Sequence, residues 1–511
     1  VLKRSALVAF VFGFTFAGCS HGGSSGGGMA TAASTAPVGT GTQPTSVTPG
    51  TTTAATTSAA ALGDPTSAPD ALSGAIKDAH GRQLLLRGLN LSERSKHPPF
   101  AGWLQPSHVD DFVRFGMDHV RYLLTWEAVE PQDGVFDDAY LAQVATELSW
   151  FEARGIYVVL DMHQDEFARV YGGDGMPDWV LLSPDPYPWL PDVLGTFPIN
   201  YANPKVLANF DDFWTNATKQ ARFAKAWAHV ISKLSSAPNV IGYEILNEPF
   251  AGTKLPWDFE ANELTPFEAL VAKTMRAADP ARMIFFEPWL YTAALPTTSI
   301  QKPQDPNVVY APHWYDPVVD VRAAANISPN YDGDPTPTKL AFGNLANQAK
   351  GLGCPFWLGE FGIEEGRSGA LDYVRDHFVL LDQNLMSCCY WELNPVESDV
   401  FSPVDPAGND FPIAGEIAHP HPRAVAGTLT RVSYDPTTRE LDVDWTEGNL
   451  GPQAPTLVEL PAKVYGTAAI DVLLASDPAG AWHFERETAT GRLAVWADPG
   501  TLAHTLVVRP H

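Results

Sequence analysis

Short apolar runs alternate with longer amphipathic or polar stretches along the middle of this chain, and the runs read as strands. They cover residues 84–89, 117–120, 156–162, 241–246, 283–286, 308–312, 355–359 and 388–390. Eight such runs with helix-length spacers predict an α/β fold, a (β/α)8 TIM barrel over residues 70–421, whose functional groups sit at the C-terminal ends of the strands. Polar or aromatic residues do stand where the runs stop. Asn90 follows the first, Arg121 the second, His163 the third, Asn247 and Glu248 the fourth, and Glu287 the fifth. His313 and Tyr315 follow the sixth, Glu360 the seventh and Trp391 the eighth. Past residue 421 the texture changes to short, partly alternating runs at 441–445, 456–460, 469–475 and 505–509, separated by Pro, Gly and Asp. They predict a C-terminal antiparallel β-sandwich over residues 422–511. His419-Pro-His421 reads as linker, and the Gly-, Pro- and Trp-rich stretch 171–198 as an active-site loop.

The first residues have a different character. Lys3-Arg4, an apolar run from Ala6 to Phe16 and the small pair Ala17-Gly18 form the three parts of an export signal, and the run is too short to span a bilayer. Cys19 directly after it resembles the lipid-bearing Cys of bacterial lipoproteins, so residues 1–19 are expected to be a signal peptide with its anchor Cys. Residues 20–69, nearly all Gly, Ser, Thr, Ala and Pro, lack the apolar content to fold and read as a disordered linker. As a flexible coil such a linker spans about 40 Å. The expected location is therefore exported, as a membrane-anchored lipoprotein or a secreted protein.

Composition narrows the function. A net charge of −26 would be repelled by nucleic acid and by anionic lipid, while 15 Trp and 26 Phe leave room for aromatic platforms under sugar rings. No nucleic-acid partner is expected, and the chain is expected to act as a monomer. Beyond Cys19 the cysteines are Cys354, Cys388 and Cys389; a pairing of Cys354 with either of the other two is open. No Cys pattern suits a metal. His163-Gln-Asp165 has metal-like spacing but lacks a third ligand nearby in sequence, so no metal and no cofactor are expected.

Two glutamates carry the chemistry: Glu248 in Ile241-Gly-Tyr-Glu-Ile-Leu-Asn-Glu-Pro249 and Glu360 in Pro355-Phe-Trp-Leu-Gly-Glu-Phe-Gly362. Hydrolysis of a glycosidic bond needs one protonated carboxylic acid and one carboxylate across the bond from it. On an eight-stranded barrel the fourth and seventh runs face each other across the opening. Arg121, from the second, could hold one of the pair ionised.

Arg121, His163, Asn247-Glu248, His313, Tyr315, Glu360 and Trp391 resemble, in order and at strand ends, the active-site set of glycoside hydrolase family 5, which carries its glutamates on strands four and seven. The resemblance implies a retaining enzyme with Glu248 as acid/base, Glu360 as nucleophile and Asn247 at the sugar 2-hydroxyl. It also implies Trp391 beneath the sugar, Arg121 and Tyr315 orienting Glu360, and His163 and His313 bonding substrate or acid. The stretch from Asp161-Met-His-Gln-Asp165 to Gly175-Met-Pro-Asp-Trp179 is similar to a loop of the endoglycoceramidase group, which cleaves between glycan and ceramide. Asn90-Leu-Ser-Glu-Arg-Ser-Lys96 and Pro422-Arg-Ala-Val-Ala-Gly427 also resemble that group. By this likeness Lys96, Asp165 and Trp179 are expected to contact sugar, and the partner is a glycolipid or oligosaccharide substrate. The first of these motifs is similar, too, to relatives that remove one glucose from glucosylceramide or sterol glucosides. A cellulase-like β-glucanase and a non-catalytic sugar-binding lipoprotein are the remaining alternatives; the second would have signalled itself by loss of a glutamate.

Overall fold

In the computed structural model, which describes residues 69–511 apart from 92, 185–198, 452, 488 and 499, eight parallel strands form one sheet. They are β1 (Arg87–Leu91), β2 (His119–Thr125), β3 (Tyr157–His163), β4 (Val240–Glu244), β5 (Met283–Phe286), β6 (Val308–Tyr310), β7 (Trp357–Phe361) and β8 (Ser387–Leu393). Ladders run β6-β5-β4-β3-β2-β1-β8-β7. The ring closes between β6 and β7 through parallel bridges Tyr310 to Phe356 and His313 to Glu360, with Trp314 N–H donating to the Glu360 carbonyl at 3.0 Å. This is the TIM barrel read from the sequence. The signal peptide, Cys19 and all of the linker but Pro69 lie outside the described residues, as does the second half of the 171–198 loop. No described helix is long and apolar enough to cross a membrane.

Both faces of each strand are covered, so the runs are continuously apolar rather than alternating. One face packs under the outer helices, among them α1 (Pro106–Phe115), α2 (Asp138–Glu152) and α3 (Ala370–Gln383). The helix starts follow local chemistry: α1 opens with Pro in its first turn, and the Asp137 carboxylate accepts from Tyr140 N–H at the head of α2. The other face fills the barrel with Tyr157, Val159, Ile241, Phe285, Val309, Trp357 and Cys389, plugged below by Ala71, Ile76, Leu84 and Leu86.

Two strand assignments differ from the sequence reading. The run 84–89 is split: Gln83–Leu84 leaves the barrel and pairs antiparallel with the C-terminal sheet, and β1 begins only at Arg87. Arg121 does not end its strand but is the third residue of β2, because its charge is neutralised inside the barrel and the strand runs on through Tyr-Leu-Leu-Thr.

The C-terminal strands are β9 (His421–Val425), β10 (Gly427–Asp435), β11 (Glu440–Glu447), β12 (Thr456–Glu459), β13 (Ile470–Leu474), β14 (Trp482–Glu487), β15 (Arg492–Ala497) and β16 (Ala503–Pro510). One sheet runs Gln83–Leu84, β9, β12, β15, β14, and the other β10, β11, β16, β13, all antiparallel. Alternation packs Leu441, Val443, Trp445, Leu506 and Val508 inward against Val458, Leu493 and Val495. His419 and His421 are not linker. His419 Nε2 lies 2.7 Å from Asp382 Oδ2 on α3, and His421 Nε2 lies 2.9 Å from Asp118 Oδ2. Both rings are buried fasteners between barrel and sandwich.

Cys354, Cys388 and Cys389 are free thiols. Consecutive residues of a strand point to opposite faces, so Cys388 lies under the helices and Cys389 inside the barrel.

Candidate active site

Arg121 is fully buried and organises the centre. Its Nε donates to Glu244 Oε2 (2.5 Å), Nη1 to Glu360 Oε1 (2.6 Å) and Asn90 Oδ1 (3.0 Å), and Nη2 to Asn247 Oδ1 (2.8 Å). Asp161 and Glu287 lie 3.2 and 3.6 Å from Nη2. One guanidinium cannot balance four carboxylates, and burial pushes both Asp161 and Glu287 well above the usual carboxylate range. Two carboxylates of this set, Glu244 and Asp161, were not singled out in the sequence. Their signal is a charged residue inside an otherwise apolar strand.

Glu360, on β7, is 4% exposed and held at both oxygens: Arg121 takes Oε1, and Tyr315 O–H donates to Oε2 at 2.8 Å. Burial raises its pKa, opposed by His313 and Arg121. Glu248 instead bonds to His313, whose Nδ1 lies 3.0 Å from Oε1. Burial pushes Glu248 up to about 8, with the Asp165 charge adding to the rise. His313 Nδ1 lies between the two, 3.0 Å from Glu248 Oε1 and 3.7 Å from Glu360 Oε2, and burial lowers this imidazole to about 4, so it is neutral at pH 7. Its ring lies hard against β7 because residue 359 is Gly; a Cβ there would come within 2.7 Å of Nε2. One oxygen of Glu248 and one of Glu360 lie within 4.8 Å of each other. That spacing leaves no room for a water between carboxylate and sugar and suits retention of configuration.

Glu248 adopts φ of 44°, in the left-handed region, where strain is of order 1–3 kcal/mol for such a residue. Its neighbours over-determine it. Gln164 Nε2 donates to the carbonyls of Asn247 and Glu248, Asn247 Nδ2 donates to the Gln164 carbonyl, and Asn247 N–H donates to Met162. Gln164 is a further residue the sequence reading passed over.

Beside the pair, Trp391 lies parallel to His163 with ring centres 5.6 Å apart, and Lys96 Nζ stands 4.5 Å from the centre of the Trp391 ring. Lys96 donates to Asp165 Oδ2 at 2.6 Å and lies 3.9 Å from Asp174. Burial alone would raise Asp165, but Lys96 and His163 bring it below the ordinary value. Asp174 reaches this point because residue 173 is Gly; a Cβ there would collide with the Asp165 carbonyl at 1.7 Å. His163, Asp165 and Asp174 thus supply the third ligand absent from the local sequence, yet the ammonium of Lys96 takes the place of a cation among them.

These groups line a cavity of about 480 Å³. Its lining mixes polar groups, among them Lys96, His163, Asp165 and Asp174, with apolar ones, among them Leu290, Ala293, Pro317 and Val319. Trp179 is the expected site residue that the structure places elsewhere. Its indole donates to the Glu130 carbonyl and packs edge-on against Trp126 and beneath Arg222, away from the cavity.

An eight-stranded barrel with a close carboxylate pair at the C-terminal ends of β4 and β7 defines a glycoside hydrolase. Residues 77–397 match the family described as Cellulase (glycosyl hydrolase family 5), and residues 419–508 match the glycoside hydrolase family 5 C-terminal domain. The chain belongs to glycoside hydrolase family 5. Among relatives, Endoglycoceramidase I of Rhodococcus hoagii is 27% identical over 382 residues, which cover 70% of this chain and 73% of that protein. A Glucosylceramidase of Cryptococcus neoformans is 27% identical over 238 residues, 34% of this chain and 32% of its own. The solved structure of Endo-glycoceramidase II from Rhodococcus sp., as a lactosyl-enzyme intermediate, superposes with a TM-score of 0.74 at 26% identity, covering 85% of this chain and 99% of that one. The same enzyme has been solved with ganglioside GM3.

Proposed function

We propose that this enzyme is a retaining β-glycosidase that cuts the bond between glycan and lipid in glycosphingolipids. The observation that carries the reading is the carboxylate pair within 4.8 Å, one member raised to about 8 and the other gripped by Arg121 and Tyr315, in a cavity lined by both polar and apolar side chains. Glu360 attacks the anomeric carbon. Glu248 gives its proton to the glycosidic oxygen, the lipid alcohol leaves, and a glycosyl ester of Glu360 remains. Water then attacks the ester and loses a proton to Glu248, which restores both groups. Asn247, oriented by Arg121 and Gln164, faces the 2-hydroxyl. Trp391 lies beneath the sugar, and Lys96, His163 and Asp165 bond its outer hydroxyls. Leu290, Ala293 and Val319 of the cavity lining take the aglycone, as the names of the endoglycoceramidase relatives support.

Thin-layer chromatography of products from lactosylceramide, a ganglioside, glucosylceramide, a steryl glucoside and soluble cellulose tests this. Release of the intact oligosaccharide from the first two is expected. Glucose from glucosylceramide or steryl glucoside alone would replace the endo reading with the exo reading that the Glucosylceramidase relative supports. Activity on cellulose alone would end the lipid reading. We also infer export with an acyl anchor at Cys19, supported by the charged, apolar and small residues before it. Cys19→Ser should appear in soluble or incompletely processed form, because stable anchoring takes two or more acyl chains; unchanged membrane association of the processed protein would remove the anchor.

A further inference from the structure

We propose that Glu93, Glu392 and Asp399 form a calcium site at the rim of the catalytic cavity, where the ion ties the chain after β1 to the end of β8. These two strands run parallel with Leu91 opposite Leu393, so the residues that follow β1 meet those that close β8. Glu93 opens the short helix Glu93–Lys96, and its N–H donates to Glu392 Oε2 at 2.6 Å. One carboxylate oxygen from each of Glu93, Glu392 and Asp399 lies within 4.8 Å of the other two. No local motif announces the set, because 299 residues separate Glu93 from Glu392. The loop that brings Asp399 is fixed: Ser402 Oγ accepts from Asn394 N–H at 3.2 Å and donates to the Val404 carbonyl at 2.8 Å. Asp399 Oδ1 accepts from Phe401 N–H at 2.7 Å, which orients its carboxylate.

Acids gathered in water need no ion, but Glu392 is not in water. It is 0% exposed, and its Oε1 is buried without a hydrogen-bond partner. A buried carboxylate oxygen with no donor and no cation is strongly unfavourable, so the position calls for a positive ligand. The nearby side-chain cations are committed elsewhere. Lys96 stands 3.9 Å from Glu93 but bonds to Asp165 at 2.6 Å, and Arg94 lies 3.4 Å from Glu397. The donor set is oxygen only, which selects a hard cation over zinc or copper. Glu93 is exposed and Asp399 half-buried, which leaves room for waters; calcium takes roughly six to eight oxygens in irregular geometry, whereas magnesium demands a near-ideal octahedron. A Kd of about 0.1–1 mM, as in extracellular modules, suits the export inferred above. Glu93 and Asp399 line the cavity together with Lys96 and Trp391. An ion joining Glu93 to Glu392 therefore holds the backbone on which Lys96 and Trp391 stand. It positions those side chains and touches no reacting atom.

The test uses the full chain stripped with EGTA, with calcium and its luminescent stand-in terbium as probes. Terbium should fill one site ahead of all others, with emission excited through tryptophan, weakened in Trp391→Phe and displaced by calcium. Asp399→Asn and Glu392→Gln should each weaken calcium by about tenfold or more, since affinity follows the count of charged ligands. Circular dichroism checks that both variants fold, and the wild type supplies a readout that needs no variant. Its KM for a soluble nitrophenyl β-lactoside should rise about three- to tenfold in EGTA and return with calcium but not magnesium, with kcat changing less. This last effect rests on Lys96 and Trp391 binding the sugar. Equal terbium emission in Asp399→Asn and wild type would overturn the proposal, as would several equivalents bound alike over the acidic surface. So would a KM indifferent to EGTA and calcium. If the enzyme cleaves no glycoside but calcium binds and Asp399→Asn removes it, the substrate reading fails and the calcium site stands.

Discussion

Replacing Tyr315 by Phe isolates one hydrogen bond to the proposed nucleophile with almost no change in volume. The phenol donates to Glu360 Oε2 at 2.8 Å, and the next donor, His313 Nδ1, is 3.7 Å away and beyond bonding distance. The other oxygen keeps Arg121 at 2.6 Å, so the carboxylate stays in place but loses half its support. A hydrogen bond to a charged, buried group is worth about 1.5–3 kcal/mol, and each 1.36 kcal/mol is about one pKa unit. Burial already raises Glu360, and the ionised form is the one the phenol stabilises, so the variant's pKa should rise by about 1–2 units. The sign follows: kcat/KM needs Glu360 ionised, so its acid limb moves to higher pH. Well below the limb the rate falls about 10- to 100-fold, and at neutral pH by less. The assay is kcat/KM against pH on a nitrophenyl β-glycoside, with circular dichroism to confirm folding. An acid limb within about 0.3 units of wild type would refute the claim that Tyr315 holds the charge on Glu360, since the lost bond corresponds to at least about one unit.

Three further outcomes are expected. Glu248→Ala should slow natural substrates severely yet spare the first step on a dinitrophenyl glycoside, and the alkaline limb near pH 8, where the wild-type acid loses its proton, should vanish from that step; equal losses on both substrates would count against an acid role. Glu360→Ala should lose several orders of magnitude in turnover, and azide should restore part of it with an inverted glycosyl azide as product, read by NMR. Asp118→Asn should lower stability by about 1–3 kcal/mol without changing KM, measured by denaturant unfolding and kinetics on the folded fraction, because Asp118 Oδ1 accepts from His119 Nδ1 at 3.0 Å and Arg87 N–H at 3.1 Å while Oδ2 takes His421 Nε2 at 2.9 Å, and an amide offers a single accepting oxygen to these three donors.

The barrel was legible because parallel strands covered on both faces write themselves as unbroken apolar runs, and the turn from run to polar residue marks the functional rim. What sequence hides is partnership. Arg121 looked like a strand end because a charged residue stops an apolar run on paper; in the fold it is neutralised by Glu244 and Glu360 from across the barrel, and the strand continues. Trp179 shares its motif with true cavity residues, but the cavity side of that loop ends at Asp174, and the ring turns to Trp126 and Arg222 instead. In the sandwich, Leu441 to Trp445 was readable from alternation, whereas Gln83–Leu84 was absorbed into the first barrel run because only tertiary pairing with β9 takes it elsewhere. His419 and His421 looked idle because their acids, Asp382 and Asp118, lie 37 and 303 residues away.

The two glutamates are nearly alike in burial, so their different tasks must come from what surrounds each. Arg121 and Tyr315 bond directly to Glu360, while Glu248 meets a neutral imidazole, and burial with the field of Asp165 keeps its proton on at pH 7. In the proposed reaction this asymmetry reverses itself without any side chain moving. Once Glu360 is esterified it carries no charge, and the guanidinium of Arg121, which already draws Glu248 downward, is no longer balanced by that carboxylate. With a negative neighbour within 4.8 Å removed, the acidity of Glu248 increases, and the group that had to hold a proton in the first step is left ionised for the second. The same spacing that lets Glu360 reach the sugar therefore also resets Glu248 as the base that activates water.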